Sequence, residues 1–156
     1  MKKLLMRTAI RTVVLVFVVY AGVQGMETRK FGIGLMVGAP TGISFKYWLN
    51  EVNALTGGIS LGSDAAIQLN YLWHNFGATR PREGSLPVHY GFGAQAQSGG
   101  AHSGDHSRIG LRGVIGLTYL FEKAPFDVFA ELAPLLEIGN NSELRLTASV
   151  GARYFF

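Results

Sequence analysis

From Phe31 onward, hydrophobic and polar residues alternate one for one, in run after run. Over 144–156 the even positions are Leu144, Leu146, Ala148, Val150, Ala152, Tyr154 and Phe156. The odd ones are Arg145, Thr147, Ser149, Gly151 and Arg153, with Phe155 the exception. A period of two marks a strand with two unlike faces. The same reading holds for 31–39, 42–49, 54–62, 66–74, 88–97, 108–121 and 126–138, and nothing between them repeats every 3.6 residues for long. Pro40-Thr41-Gly42, Asn50-Glu51-Val52-Asn53, Gly62-Ser63-Asp64, Lys123-Ala124-Pro125 and Gly139-Asn140-Asn141 carry turn chemistry, and 75–87 and 98–107 are longer connections. The pattern predicts eight strands in a meander, most of about nine to eleven residues or more, long enough to cross a bilayer when tilted.

Alternation alone fits a soluble barrel with its apolar face inward or a membrane barrel with that face toward lipid. The apolar faces supply more large side chains than the inside of eight strands can hold, whereas the other faces mix Gly, Ser and Thr with a few long polar residues. The aromatics decide. In odd-numbered strands they come early, as Phe31, Tyr90, Phe92 and Phe126. In even-numbered strands they come late, as Tyr47, Tyr71, Trp73, Tyr119, Phe121, Tyr154 and Phe156. Up-and-down connectivity brings all of them to one end, a girdle at one water–lipid boundary to which the third strand contributes nothing. Hydrocarbon offers no partner to an open sheet edge, so strand one is expected to pair with strand eight. The expected fold is all-β, an eight-stranded antiparallel up-and-down transmembrane β-barrel.

Charge changes the picture at the beginning of the chain. The formal charge is +4, yet Lys2, Lys3, Arg7 and Arg11 precede an apolar stretch from Val13 to Val23, with Val23 and Gly25 placed for cleavage before Met26. Basic start, short apolar middle and small-residue exit predict a helical signal peptide over 1–25, with the barrel domain over 26–156. Without those four side chains the chain has ten basic and ten acidic residues, so no nucleic-acid partner is expected. Apolar residues make up 48% and charged ones 15%, a balance opposite to disorder. The lack of cysteine excludes disulfides, thiolate metal sites and a lipid anchor through Cys.

The ending Tyr154-Phe155-Phe156, with Val150, Ala152, Tyr154 and Phe156 on one face, resembles the C-terminal signal read by the barrel-assembly machinery. Gly38-Ala39-Pro40-Thr41-Gly42 leading into Lys46-Tyr47-Trp48-Leu49, then Tyr71-Leu72-Trp73-His74, carry a wider resemblance. Gly116-Leu117-Thr118-Tyr119-Leu120-Phe121, Asp127 to Pro134 and Gly151 to Phe156 extend it over nearly all of 31–156. Together they resemble the small OmpA-like and OmpX-like eight-stranded barrels, and more closely an uncharacterised outer-membrane barrel family. Asn70 departs from that family, in which an Asp often precedes Tyr-Leu-Trp. The resemblance implies the outer membrane as location, with the bilayer, lipopolysaccharide and the assembly machinery as partners, and implies no activity.

Lys46, Arg112, Glu131, Glu137, Arg145 and Arg153 fall on the inward face. Buried charges need partners, so an interior salt-bridge network is expected to plug the lumen. With the last turn centred near Asn141, Glu131 lies diagonal to Arg153, and Glu137 lies opposite Arg145 near the far rim. In loop 98–107, His102, Asp105 and His106 are a weak metal-ligand candidate without a nearby fourth ligand, and the bland reading is a polar surface loop. No cofactor and no catalysis are expected, and an extracellular ligand would be met through the surface loops. The alternatives are a narrow channel, or a lipopolysaccharide-modifying enzyme built on His with Ser and an acid. For the latter, His74 and His89 face inward at the aromatic end, on the wrong side for outer-leaflet lipid. Arg80, Arg82 and Glu83 look like ordinary solvated charges.

Overall fold

Eight strands form where the alternation places them: β1 (Phe31–Gly38), β2 (Gly42–Trp48), β3 (Asn53–Ser60), β4 (Ala66–Asn75), β5 (Val88–Gln97), β6 (Arg108–Leu120), β7 (Phe126–Ile138) and β8 (Glu143–Phe155). A computed structural model describes residues 29–60, 65–98, 108–138 and 142–156. The expected signal peptide and the candidate ligands His102, Asp105 and His106 lie outside the described residues. Each strand pairs antiparallel with the next, and β1 closes on β8 from Gly32–Phe155 to Gly38–Ser149, giving a closed barrel.

The wall is uneven. β1, β2 and β3 have 8, 7 and 8 residues, shorter than expected, while β6, β7 and β8 have 13 each. At about 3.4 Å per residue, the long strands run roughly 20 Å further than the short ones. The turns explain the early stops. Asn50 Oδ1 accepts from the N–H groups of Val52 and Asn53 at 3.0 and 2.8 Å, turning the chain from β2 into β3. Between β1 and β2, Thr41 Oγ1 accepts from Gly38 N–H at 3.1 Å and donates to its carbonyl at 2.9 Å, with Gly38 at φ 130°, where a side chain would be strained.

Pro134 interrupts the β6–β7 ladder. The pairing runs to Arg112–Leu135 and resumes at Ile115–Leu132, skipping Gly113 and Val114 against Ala133 and Pro134. Proline has no N–H to donate there. Segment 76–87 folds back over the end where β1 begins: Ser85 pairs with Leu120, and the Tyr119 hydroxyl donates to the Glu83 carbonyl at 3.0 Å. Arg80, Arg82 and Glu83 are exposed, as expected.

The faces are inverted relative to a soluble barrel. Leu35, Ile67, Leu69, Val150 and Leu144 lie outside, 55% to 72% exposed, while Lys46 and Asp127 are 0% and Arg153 2% exposed inside. The interior is less polar than the sequence reading had it. Met36, Leu72, Val114, Phe129, Leu135 and Phe155 are also buried, and Leu72, Val114 and Ala133 pack as a cluster. Glycines make the room: a Cβ at Gly32 would meet the Phe155 ring at 2.8 Å, and one at Gly151 the Phe129 ring at 2.5 Å.

Candidate functional site

The aromatic girdle is assembled by register. Phe31 faces Tyr47, Tyr71 faces Phe92, Trp73 faces Tyr90, and Phe126 faces Tyr154 across their ladders. Trp73 sits 4.8, 6.0 and 5.7 Å from the rings of Tyr71, Tyr90 and Phe92. Tyr119–Phe121 and Tyr154–Phe156 meet edge to face at 4.8 and 5.0 Å. All lie on the outer face at the end where β1 starts and β8 finishes, and β3 adds none. Val150, Ala152, Tyr154 and Phe156 share that face.

Inside, the strands bring charges together in a compartment toward the girdle end. Arg153 donates Nε–H to Asp127 Oδ1 at 2.9 Å and Nη2–H to Oδ2 at 3.0 Å, a two-pronged pair. Lys46 Nζ lies 3.6 Å from Asp127 Oδ2 and 2.9 Å from His74 Nε2. His74 Nδ1 lies 3.2 Å from the Val52 carbonyl, so the proton on Nδ1 faces that oxygen and the Nε2 lone pair accepts from the ammonium. Aromatic rings cover both cations: Lys46 Nζ is 4.1 Å from the Trp48 centroid and Arg153 Cζ 4.0 Å from that of Phe129. His89 continues the chain, its Nδ1 2.9 Å from Thr118 Oγ1 and its Nε2 3.2 Å from Glu131 Oε1, off the line of a hydrogen bond. Lys46 and Arg153 thus face Asp127, and Glu131 lies against His89 in the same compartment.

This corrects the expected pairing. Glu137 stands opposite Glu143, a register that puts Asp127 directly opposite Arg153, where Glu131 was expected on the diagonal. Moving a turn centre by one residue moves the opposite residue by two, so the inward face is kept while the partner changes. Alternation along β7 turns Asp127 to the same inward face as Glu131. At the far rim the expected Glu137–Arg145 contact exists at 3.0 Å, but diagonally, since Arg145 stands opposite Leu135. Arg145 is also no interior residue: its side chain is 49% exposed, and Arg108, 54% exposed, joins Glu137 at 3.8 Å. β8 reaches past the short strands there, so its end faces open space.

Arg112, 2% exposed, lies toward that far rim. Its Nη1 donates to Gln68 Oε1 and, at 3.1 Å, to Gln95 Oε1. Its Nε has no partner, and it pairs with no carboxylate among the described residues.

Thr118, His89 and Glu131 form a hydroxyl–imidazole–carboxylate row, but neither His89 nor Thr118 lines any of four cavities at the two mouths and on the outer wall. Two of these adjoin at the girdle end, about 340 and 870 Å³, sharing Arg29, Trp48 and Leu120. One of about 280 Å³ opens at the opposite mouth, and one of about 750 Å³ is an apolar groove on the outer wall.

No family model matches the chain, and no curated protein matches it. Among solved structures, the chain is similar to the N-terminal β-barrel domain of Pseudomonas aeruginosa OprF, with 19% identity over 81% of this chain and 96% of that one and a TM-score of 0.54. That likeness shows the eight-stranded barrel fold.

Proposed function

We propose that this chain is an integral outer-membrane β-barrel with a structural or surface-interaction role and a plugged interior that carries no catalysis. The observation that carries the reading is the inversion of its faces: Leu35, Ile67 and Leu144 are 65%, 59% and 72% exposed, around a centre of buried Lys46, Asp127 and Arg153. Soluble proteins do not wrap continuous apolar walls around buried charge, whereas lipid requires this. The girdle supports it by marking one interface, and closure of β1 on β8 leaves no edge in hydrocarbon. In this reading the girdle end faces the periplasm, Tyr154 and Phe156 present the strand to the assembly machinery, and the opposite loops face the exterior and lipopolysaccharide.

The paired charges and the Leu72–Val114–Ala133 cluster support a lumen closed to ions. The test is electrophoretic mobility of the refolded chain with and without boiling, together with fractionation of expressing cells. A folded barrel migrates differently after boiling and sediments with outer membranes; identical mobility or a soluble fraction overturns the reading. Ion conductance in planar bilayers would overturn the plug, and altered acyl chains after incubation with lipopolysaccharide would overturn the non-catalytic role.

A further inference from the structure

The two polar layers of the interior differ in their ion pairs. Near the girdle, Lys46 and Arg153 meet Asp127, and Glu131 lies 3.2 Å from His89. Nearer the other mouth, Arg112 is 2% exposed, its Nη1 held by two neutral amide oxygens and its Nε without a partner. The carboxylate that acts on Arg112, Glu131, does so from beyond ion-pair distance, so this end of the interior can take a further negative charge.

Directly above it is the mouth cavity of about 280 Å³, near the lower bound of small-molecule sites at roughly 300 Å³. Gln95, which accepts from Arg112, lines it, and so does Leu135, the ladder partner of Arg112. Ser60, Gln97 and Arg145 supply donors around it, while the Thr41 and Thr147 hydroxyls already donate to the Gly38 and Ala133 carbonyls. Arg145 uses only Nη1 toward Glu137, leaving its other N–H groups to donate. Among the described residues, Glu137 and Glu143 at this rim stand against Arg108, Arg112 and Arg145. We propose that this mouth binds a small oxyanion, a phosphate group, held directly by Arg145, the Ser60 hydroxyl and the amide N–H groups of Gln95 and Gln97, and electrostatically by Arg112 beneath.

The site belongs to the barrel interior and stands whether or not the outer wall meets lipid. The experiment is calorimetric titration of the refolded full-length mature chain in non-ionic detergent at low salt, with folding verified by heat-dependent mobility. Inorganic phosphate, glucose 1-phosphate and glucose are the titrants. The expected result is binding of at least one phosphate compound with a dissociation constant of about 1 mM or tighter, and none of glucose. Preference for inorganic phosphate assigns a free ion, and preference for glucose 1-phosphate a phosphorylated sugar such as a glycolipid headgroup carries; either supports the site. Arg112→Gln and Arg145→Gln should each weaken binding about tenfold or more, and Arg80→Gln at the other end should not. If Arg112→Gln does not fold, Gln97→Leu, which leaves every buried charge in place, carries the test beside Arg145→Gln. A folded barrel that binds neither phosphate compound, or rim variants that bind as tightly as the parent, overturns the site.

Discussion

Asp127→Asn removes one charge from the most connected point of the barrel while keeping the shape of the side chain. The carboxylate, wholly buried, accepts two bonds from Arg153 at 2.9 and 3.0 Å and lies 3.6 Å from the Lys46 ammonium. The substitution leaves both cations buried with Glu131 as the sole carboxylate of their compartment. Each lost attraction is of order 4 kcal/mol at 4 Å and an effective dielectric of about 20, and breaking a buried pair from one side costs about 3–5 kcal/mol in practice. The Asn carbonyl still accepts one bond from Arg153, which puts the expected loss near 3 kcal/mol, a large part of a total stability of about 5–15 kcal/mol.

Urea unfolding of the refolded barrel, followed by the fluorescence of Trp48 and Trp73, measures this. With a slope near 2 kcal/mol per molar, the midpoint should fall by about 1.5 M. Lys46→Met in the Asp127→Asn background then removes one stranded cation, so the double variant should be more stable than Asp127→Asn alone. A midpoint shift below about 0.3 M for Asp127→Asn, or a double variant whose loss is simply the sum of the singles, would refute the shared-carboxylate account.

Glu137→Gln should behave differently, because its partners Arg108 and Arg145 are half exposed: a loss within about 1 kcal/mol in the same unfolding assay is expected. Gly34→Ala should prevent closure of the β1–β8 seam, since a Cβ there would overlap the Ala152 carbonyl, and the heat-dependent band should disappear from refolded samples. Pro134→Ala should raise the urea midpoint by an amount equivalent to about 0.5–1.5 kcal/mol, because it supplies the N–H missing from the β6–β7 ladder opposite Gly113. A midpoint lower than that of the parent would show that proline is compatible with the wall as it stands.

The contrast between what alternation carries and what it leaves open is clearest at Arg153. Its inward direction follows from parity, since it shares a face with Ser149 and Gly151, and the buried guanidinium agrees. Its partner depends on the centre of a hairpin turn, and Asn140 and Asn141 are equally good turn residues. A shift of one residue therefore moves the position opposite Arg153 from Phe129 to Asp127 while Asp127 and Glu131 both stay inside, and no period-two pattern can register it. The girdle was legible because aromatics early in one strand and late in the next need only the up-and-down connection to coincide. The buried rings of Phe129 and Phe155 were not, because the space they fill is left by Gly151 and Gly32 on neighbouring strands, a complementarity that alternation along one strand does not encode. Arg145 was misplaced for a third reason: alternation gives direction but not height, and β8 continues past the ends of the short strands. Direction, partner and height thus come from three different sources: the pleat, the turn and the mismatch in strand lengths. Arg112 depends on all three, being turned inward, on a rung with no carboxylate opposite, and high enough to lie beneath the open mouth. That combination leaves a buried cation with no carboxylate within ion-pair distance among the described residues.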